Sequence, residues 1–291
     1  MAVNVSPVQF RQPDFVSMVC QAIRAAGSDP AQLELEITES VALSSWKQVA
    51  DHLAAIRALG VTIAIDDFGT GYSSLSYLKQ LPMQTLKIDC SFVKDMLEDP
   101  DDLAIVDGVV GLASAFRRQF IADGVETVAH GTMLLRLGCD LGQGFIIAKA
   151  LPAAEVPDWI ATWQAPPEWL EATRWPSTDL PLLTIEVDHI RWIKQFEAYI
   201  LGTPSSNQAM PPLETHACRF GQWLNGEDHV RYQRFPAFQR IIPLHDNVHR
   251  CAQMLAALHL ASPDKAREGL SKLFDLREAL LEQLRELHRP V

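Results

Sequence analysis

Short apolar runs rich in β-branched residues alternate with longer amphipathic runs through about the first half of the chain, the pattern of repeated βα units around a parallel sheet. Leu33–Thr38, Val61–Asp66, Thr85–Asp89, Gln119–Asp123 and Asp140–Phe145 predict strands, and Val3–Val5 predicts the tail of one more. The run Val-Thr-Ile-Ala-Ile at 61–65 has the character of a strand buried on both faces. Between the strands, Pro13–Ala26, Ser45–Leu59, Asp102–Phe116 and Val128–Leu137 predict helices. Ser44 or Ser45 supplies an N-cap, and Gly60 and Gly138 stand where C-caps belong. Such a series makes five strands and a stub, the units from which a TIM-like (β/α) barrel is built.

The pattern then changes. Pro157, Pro166, Pro167, Pro176 and Pro181 fall among Trp159, Trp163, Trp169 and Trp175, marking a domain boundary built as an ordered strap. Beyond it strand signals stop and helical periodicity takes over, in Ile185–Leu201, His216–Asn225, Phe238–Leu260 and Pro263–His288. The last carries Leu270, Leu273, Leu280, Leu284 and Leu287 at three-to-four spacing, so a four-helix bundle follows. The expected class is α/β followed by all-α: an incomplete barrel over residues 1–165, a connector over 166–184 and a helical domain over 185–291.

Composition narrows the possibilities. With 48% hydrophobic and 21% charged residues, the 291-residue chain is neither disordered nor fibrous. No apolar run approaches the ~18 residues of a membrane helix, and the N-terminus lacks a secretory signal. Five scattered cysteines form no disulfide framework, so the cytoplasm is the expected location. Residues 1–184 hold 12 Lys and Arg against 23 Asp and Glu, whereas residues 185–291 hold 13 against 13. That distribution argues against a nucleic-acid partner, and a phosphate ligand of the acidic part would need cations to offset its carboxylates.

Polar and acidic groups recur at the C-terminal ends of the strands: Asn4, Glu36, Glu39, Asp66, Asp67, Lys87, Asp123 and Gln143. In a parallel βα barrel the loops at that end form the active face, where these scattered side chains converge. Oxygen ligands with one lysine suit Mg²⁺ or Mn²⁺ acting on a phosphodiester.

Asn4-Val-Ser-Pro, Leu35-Glu-Ile-Thr-Glu-Ser, Asp66-Asp-Phe-Gly-Thr-Gly-Tyr-Ser-Ser-Leu, Leu86-Lys-Ile-Asp and Gly124-Val-Glu-Thr, in this order, resemble the EAL-domain cyclic di-GMP phosphodiesterases over residues 1 to about 165. The resemblance implies that Asn4, Glu36 and Asp66 bind a first Mg²⁺ or Mn²⁺, and that Asp67 reaches a second. It further implies that Lys87 orients the attacking water, that Glu39 holds the loop Phe68–Leu75, and that Gln143 completes the site. Where the family has Glu this chain has Asp123, one methylene shorter, and the family's Glu-Ala-Leu motif lies upstream of a segment that here has three residues before Asn4. Residues 1–165 are therefore expected to be the C-terminal portion of the barrel. Glu278-Ala279-Leu280 repeats the letters on the last amphipathic helix, where Glu is a solvated helix former.

A second constellation lies in the helical part. His245 and His249 are one turn apart on a single helix face, and Cys218 and His189 come from two other predicted helices, giving a His₃Cys set suited to Zn²⁺. This segment resembles the chemoreceptor zinc-binding (CZB) bundles over about residues 185–260, through Cys-x-x-Gly-x-Trp with His-x-x-x-His downstream. The resemblance implies zinc on His189, Cys218, His245 and His249, and a homodimer. His216, His229, His259 and His288 are read as surface or supporting residues, and Cys20, Cys90, Cys139 and Cys251 as core. Two functional readings follow: a zinc-regulated phosphodiesterase that hydrolyses cyclic di-GMP to linear pGpG, or a non-catalytic module binding zinc and cyclic di-GMP.

Overall fold

The computed structural model describes residues 1–43, 46–71, 81–176, 179–202, 210–226 and 229–287. The expected caps Ser44 and Ser45, the end of the Phe68–Leu75 loop and His288 lie outside the described residues. Contacts divide the chain into two compact units, residues 1–97 with 101–176, and residues 98–100 with 177–291.

The first unit is a wholly parallel five-stranded sheet in sequential order: β1 (Ala2–Asn4), β2 (Glu34–Thr38), β3 (Thr62–Phe68), β4 (Thr85–Ile88) and β5 (Gln119–Ala122). Helices return the chain between strands: α1 (Phe15–Ala26), α2 (Glu39–Leu43) with α3 (Trp46–Ala58), and α4 (Cys90–Asp95) with α5 (Pro100–Ala115), while α6 (Val128–Leu137) follows β5. Ile63, Ala64, Ile65, Leu86 and Ile88 are all fully buried, which is why β3 and β4 lack the polar alternation of one-sided strands. α6 matches its expected bounds, with Thr127 as N-cap and Gly138 as a left-handed C-cap.

The expected strand Asp140–Phe145 is reduced to one parallel bridge, Ala122 to Gly142. Gln143 exchanges main-chain hydrogen bonds with Ala122 and Val125, but the next residue lies directly against the Val125 backbone, where a Cβ on Gly144 would come within 2.3 Å. The chain turns off the ladder there. The Pro- and Trp-rich strap is ordered: α7 (Pro167–Glu171) brings the Trp169 indole N–H 2.8 Å from the Val128 carbonyl, and Trp175 packs beneath the Arg136 guanidinium.

The second unit is helical. α8 (Leu180–Leu201), α9 (Arg219–Asn225), α10 (Pro236–Ala261), α11 (Pro263–Glu268) and α12 (Leu270–Glu286) bury Ile193, Phe196, Phe220, Ile241, Val248 and Leu273 in a common core. The four helical segments read from the sequence are all present. The first begins at Leu180, with Pro181 in its opening turn where a missing N–H costs nothing. The last is divided at Gly269, whose Cα faces Leu255 so closely that a Cβ would stand 2.4 Å from that side chain.

Candidate functional site

Parallel register sets the strand ends side by side: Asn4 opposite Glu36, and Thr38 opposite Asp66. From β4, the Lys87 side chain enters between them. Its ammonium donates to Glu36 Oε2 at 3.0 Å and pairs with Asp66 Oδ1 at 3.3 Å, with Lys87 only 2% exposed. Burial works against its charge, but the hydrogen bond to Glu36 and the charges of Asp66 and Glu36 outweigh it, leaving the Lys87 pKa raised and the ammonium fixed.

Asp67 departs from regular strand geometry, with φ of 55° at the β3 end, an uncommon conformation for a residue with a side chain. Its carboxyl hydrogen-bonds Asp89, and burial together with the charges of Asp66 and Asp89 raises its pKa. Neighbouring carboxyls whose mutual repulsion works against their charges are a donor set suited to a hard divalent cation, whose charge would relieve that repulsion. Asp89 was not assigned a role from the sequence. It caps α4 by accepting from the Ser91 amide at 2.8 Å, and Asp-x-Ser directly after a strand is the signal that marks it.

Glu39, 2% exposed at the start of α2, accepts from the Gly69 amide at 2.9 Å and the Gly71 amide at 3.3 Å, tying down the loop that leaves β3. Asn4 and Gln143 are exposed at the same end of the sheet. Asp123 is half-buried and turns back on its own loop, Oδ1 accepting from the Gly124 amide at 2.7 Å. The structure thus joins Glu36, Asp66 and Lys87 directly and Asp67 to Asp89, while Asp123 is engaged locally.

In the helical unit, His189 from α8 and His245 and His249 from α10 place ligand atoms within 4.8 Å of one another, all three buried. Cys218, the N-cap of α9, lies 3.2 Å from His245 Nε2 and accepts from the Gly221 amide at 3.2 Å. No described residue hydrogen-bonds either ring nitrogen of His189 or Nε2 of His249. Leaving such buried polar atoms unpaired costs about 1–3 kcal/mol each, so their convergence beside a thiol fits a borderline-soft ion. Burial, with the charges of His245 and His249, holds the His189 pKa well below its ordinary value. Burial and His249 lower His245 to about 3, and burial lowers His249. The imidazoles are therefore neutral at pH 7, the ligating form, whereas burial raises the Cys218 thiol pKa.

His216 is exposed, and His229 and His259 are half-buried. Cys139 and Cys251 are core residues, as expected, but Cys90 is exposed and Cys20 only partly buried. Cys90 opens α4 at the rim of the sheet, directly after Asp89, rather than pointing into the core. Among the described residues no helix is long and apolar enough to cross a membrane.

The family model of the EAL domain matches residues 1–150, and that of the chemoreceptor zinc-binding domain matches residues 189–256. The bifunctional diguanylate cyclase/cyclic di-GMP phosphodiesterase MucR of Pseudomonas aeruginosa is 43% identical over 156 residues, 54% of this chain and 23% of that protein. The oxygen sensor protein DosP of Escherichia coli is 35% identical over 162 residues, 56% of this chain and 20% of that protein. The chain thus spans between a fifth and a quarter of the length of these curated relatives. Among solved structures, the EAL domain of Mycobacterium smegmatis DcpA is 44% identical with a TM-score of 0.53, covering 57% of this chain and 74% of that one. The MucR phosphodiesterase, solved as a cyclic di-GMP complex, is 43% identical with a TM-score of 0.52, covering 53% and 63%.

Proposed function

The chain belongs to the EAL domain family, and from that premise we propose that its sheet unit serves metal-dependent hydrolysis of cyclic di-GMP to linear pGpG, regulated by zinc on its helical unit. The observation that carries this reading is the Lys87 ammonium held between Glu36 and Asp66 at the C-terminal ends of three adjacent parallel strands. Asn4, Glu36, Asp66 and Asp67 would hold Mg²⁺ or Mn²⁺, which when bound supplies polarisation of a phosphoryl oxygen and a water of lowered pKa. Lys87, always charged here, offsets phosphate charge and orients the attacking water. Glu39 fixes the loop after β3, and Gln143 and Asp123 complete the rim. His189, Cys218, His245 and His249 would hold Zn²⁺. Pairing of two helical units into a homodimer belongs to the same reading, as does a cytoplasmic location, which five free cysteines favour.

One observation favours the non-catalytic alternative, a module that binds zinc and cyclic di-GMP: the short Asp123 carboxylate is occupied by its own loop amide. Chromatography of cyclic di-GMP incubated with the protein and Mn²⁺ separates the two. Appearance of pGpG that is lost in Asp66→Asn supports hydrolysis. Binding of intact cyclic di-GMP with no product supports the alternative, and neither binding nor turnover refutes both.

A further inference from the structure

Cys218 is delivered to the three histidines by a turn whose carbonyl groups face the metal-site side chains. The Leu213 carbonyl lies 3.0 Å from His249 Nδ1 and also accepts from Gln253 Nε2 at 3.1 Å. A carbonyl can only accept, so Nδ1 must carry the hydrogen. That leaves Nε2, which no described residue hydrogen-bonds, as the nitrogen with a free lone pair. The neighbouring Pro212 carbonyl accepts from Trp192 Nε1 at 2.9 Å, and the Trp192 ring lies 4.5 Å from that of His249 and stacks on His189. Further along the turn, the Cys218 thiol donates to the Thr215 carbonyl at 3.4 Å.

What lets the turn sit there is the absence of a side chain at Gly221. A Cβ on Gly221 would stand 1.6 Å from the Thr215 carbonyl oxygen and 2.7 Å from its carbon. Both partners are backbone, so no rotamer change relieves the clash. The Gly221 amide also donates to Cys218 Sγ.

We propose that Gly221 is a positioning residue for the metal: it admits the Thr215 carbonyl, and that contact seats the turn whose Leu213 carbonyl makes His249 an Nε2 ligand and whose end presents Cys218. The proposal rests on the zinc reading above. Outer partners that orient metal ligands typically change affinity 10–100-fold when lost, and Gly221→Ala should weaken zinc binding by about that factor.

The test uses the whole 291-residue chain, with zinc affinity from chelator competition and ligand geometry from the absorption of the Co²⁺-substituted protein. Gly221→Ala should lose affinity together with sulfur-to-cobalt intensity. Gly226→Ala, at the end of the same helix, would meet backbone oxygens only at an ordinary 3.5 Å. It should stay within about twofold of wild type. Wild-type affinity and an unchanged cobalt spectrum in Gly221→Ala would overturn the proposal while leaving the zinc reading intact; a wild-type chain that takes up no zinc would overturn that reading too. If Gly221→Ala does not fold, ¹⁵N shifts of His249 in the zinc-loaded wild type decide. Nε2 ligation with a protonated Nδ1 is expected, and Nδ1 ligation overturns the proposal.

Discussion

Stripped of metal, the helical unit should be destabilised by mild acid through its three buried histidines. The sign follows from burial: His189, His245 and His249 all have pKa values depressed in the folded chain, so the unfolded chain binds protons that the folded one refuses. Their stability contribution is complete above the unfolded value of about 6.5 and is lost as pH falls toward the folded values, about 3 for His245. Each group that protonates only on unfolding costs about 1 kcal/mol between pH 6.5 and 5.5, and about 1.4 kcal/mol for each further unit. Two or three such groups give about 2–3 kcal/mol over the first unit, the lower figure if His249 titrates within it. Against a typical total of about 5–15 kcal/mol, the metal-free unit should then unfold near pH 4–5. Urea titrations of chelator-treated protein at several pH values measure this, with ¹⁹F signals of 5-fluorotryptophan at Trp192 and Trp223 reporting the helical unit alone. His245→Gln removes one titrating group and should reduce the slope by about a third to a half. Stability that is flat between pH 6.5 and 5.5, or a slope unchanged in His245→Gln, would refute the reasoning.

Lys87→Met leaves Glu36 and Asp66 without their buried partner and should cost about 3–5 kcal/mol in urea titration, part of it recovered in millimolar Mg²⁺; a loss below about 1 kcal/mol would count against the buried network. Glu39→Gln turns two charge-assisted bonds to the Gly69 and Gly71 amides into neutral ones, so their hydrogen exchange should quicken about fivefold, for a loss near 1 kcal/mol. Cys218→Ser should weaken zinc binding far more than Cys251→Ser, and wild-type affinity should fall with pH because the Cys218 proton must leave, both read by chelator competition. Glu278→Ala, on a side chain 58% exposed and paired with Arg277, should change stability by less than about 0.5 kcal/mol and leave cyclic di-GMP binding unaltered, which thermal melts and titration check.

The parallel sheet was legible because strands buried on both faces must be nearly all apolar, as Val61–Ile65 is. Asp140–Phe145 reads as another strand from its place in the alternation of strands and helices, but whether a run pairs is decided by what it meets, and Gly144 lies against the Val125 backbone. Pro181 looked like a boundary although it sits harmlessly in the first turn of α8, and the break at Gly269 answers a contact with Leu255 that is distant in sequence. Ligand-bearing side chains could be chosen from residue type and strand end. Their partners could not: Lys87 and Glu36 are 51 positions apart, and their meeting depends on register across three strands. The Leu213 carbonyl was invisible for a stronger reason, because every residue carries one and only the fold says which faces a histidine.

On the proposed assignment, the two donor sets would meet their cations through opposite electrostatics. At the sheet, the carboxylates of Glu36 and Asp66 outnumber the single ammonium of Lys87, and Asp67 adds a third carboxyl beside them. The whole first part of the chain adds to this, with 23 acidic against 12 basic residues up to position 184. Hard cations are therefore attracted from a distance, and a dianionic ligand becomes tolerable only in their company. Over residues 185–291 the balance is 13 against 13, the imidazoles are neutral and the thiol is protonated, so little concentrates cations there before bonds form. Selection must come from the bonds themselves, which imidazole and sulfur give to zinc far better than to magnesium. On the proposed assignment, the abundant hard ion and the scarce soft one occupy separate sites in one polypeptide without competing, and zinc can act as a signal at ordinary magnesium levels.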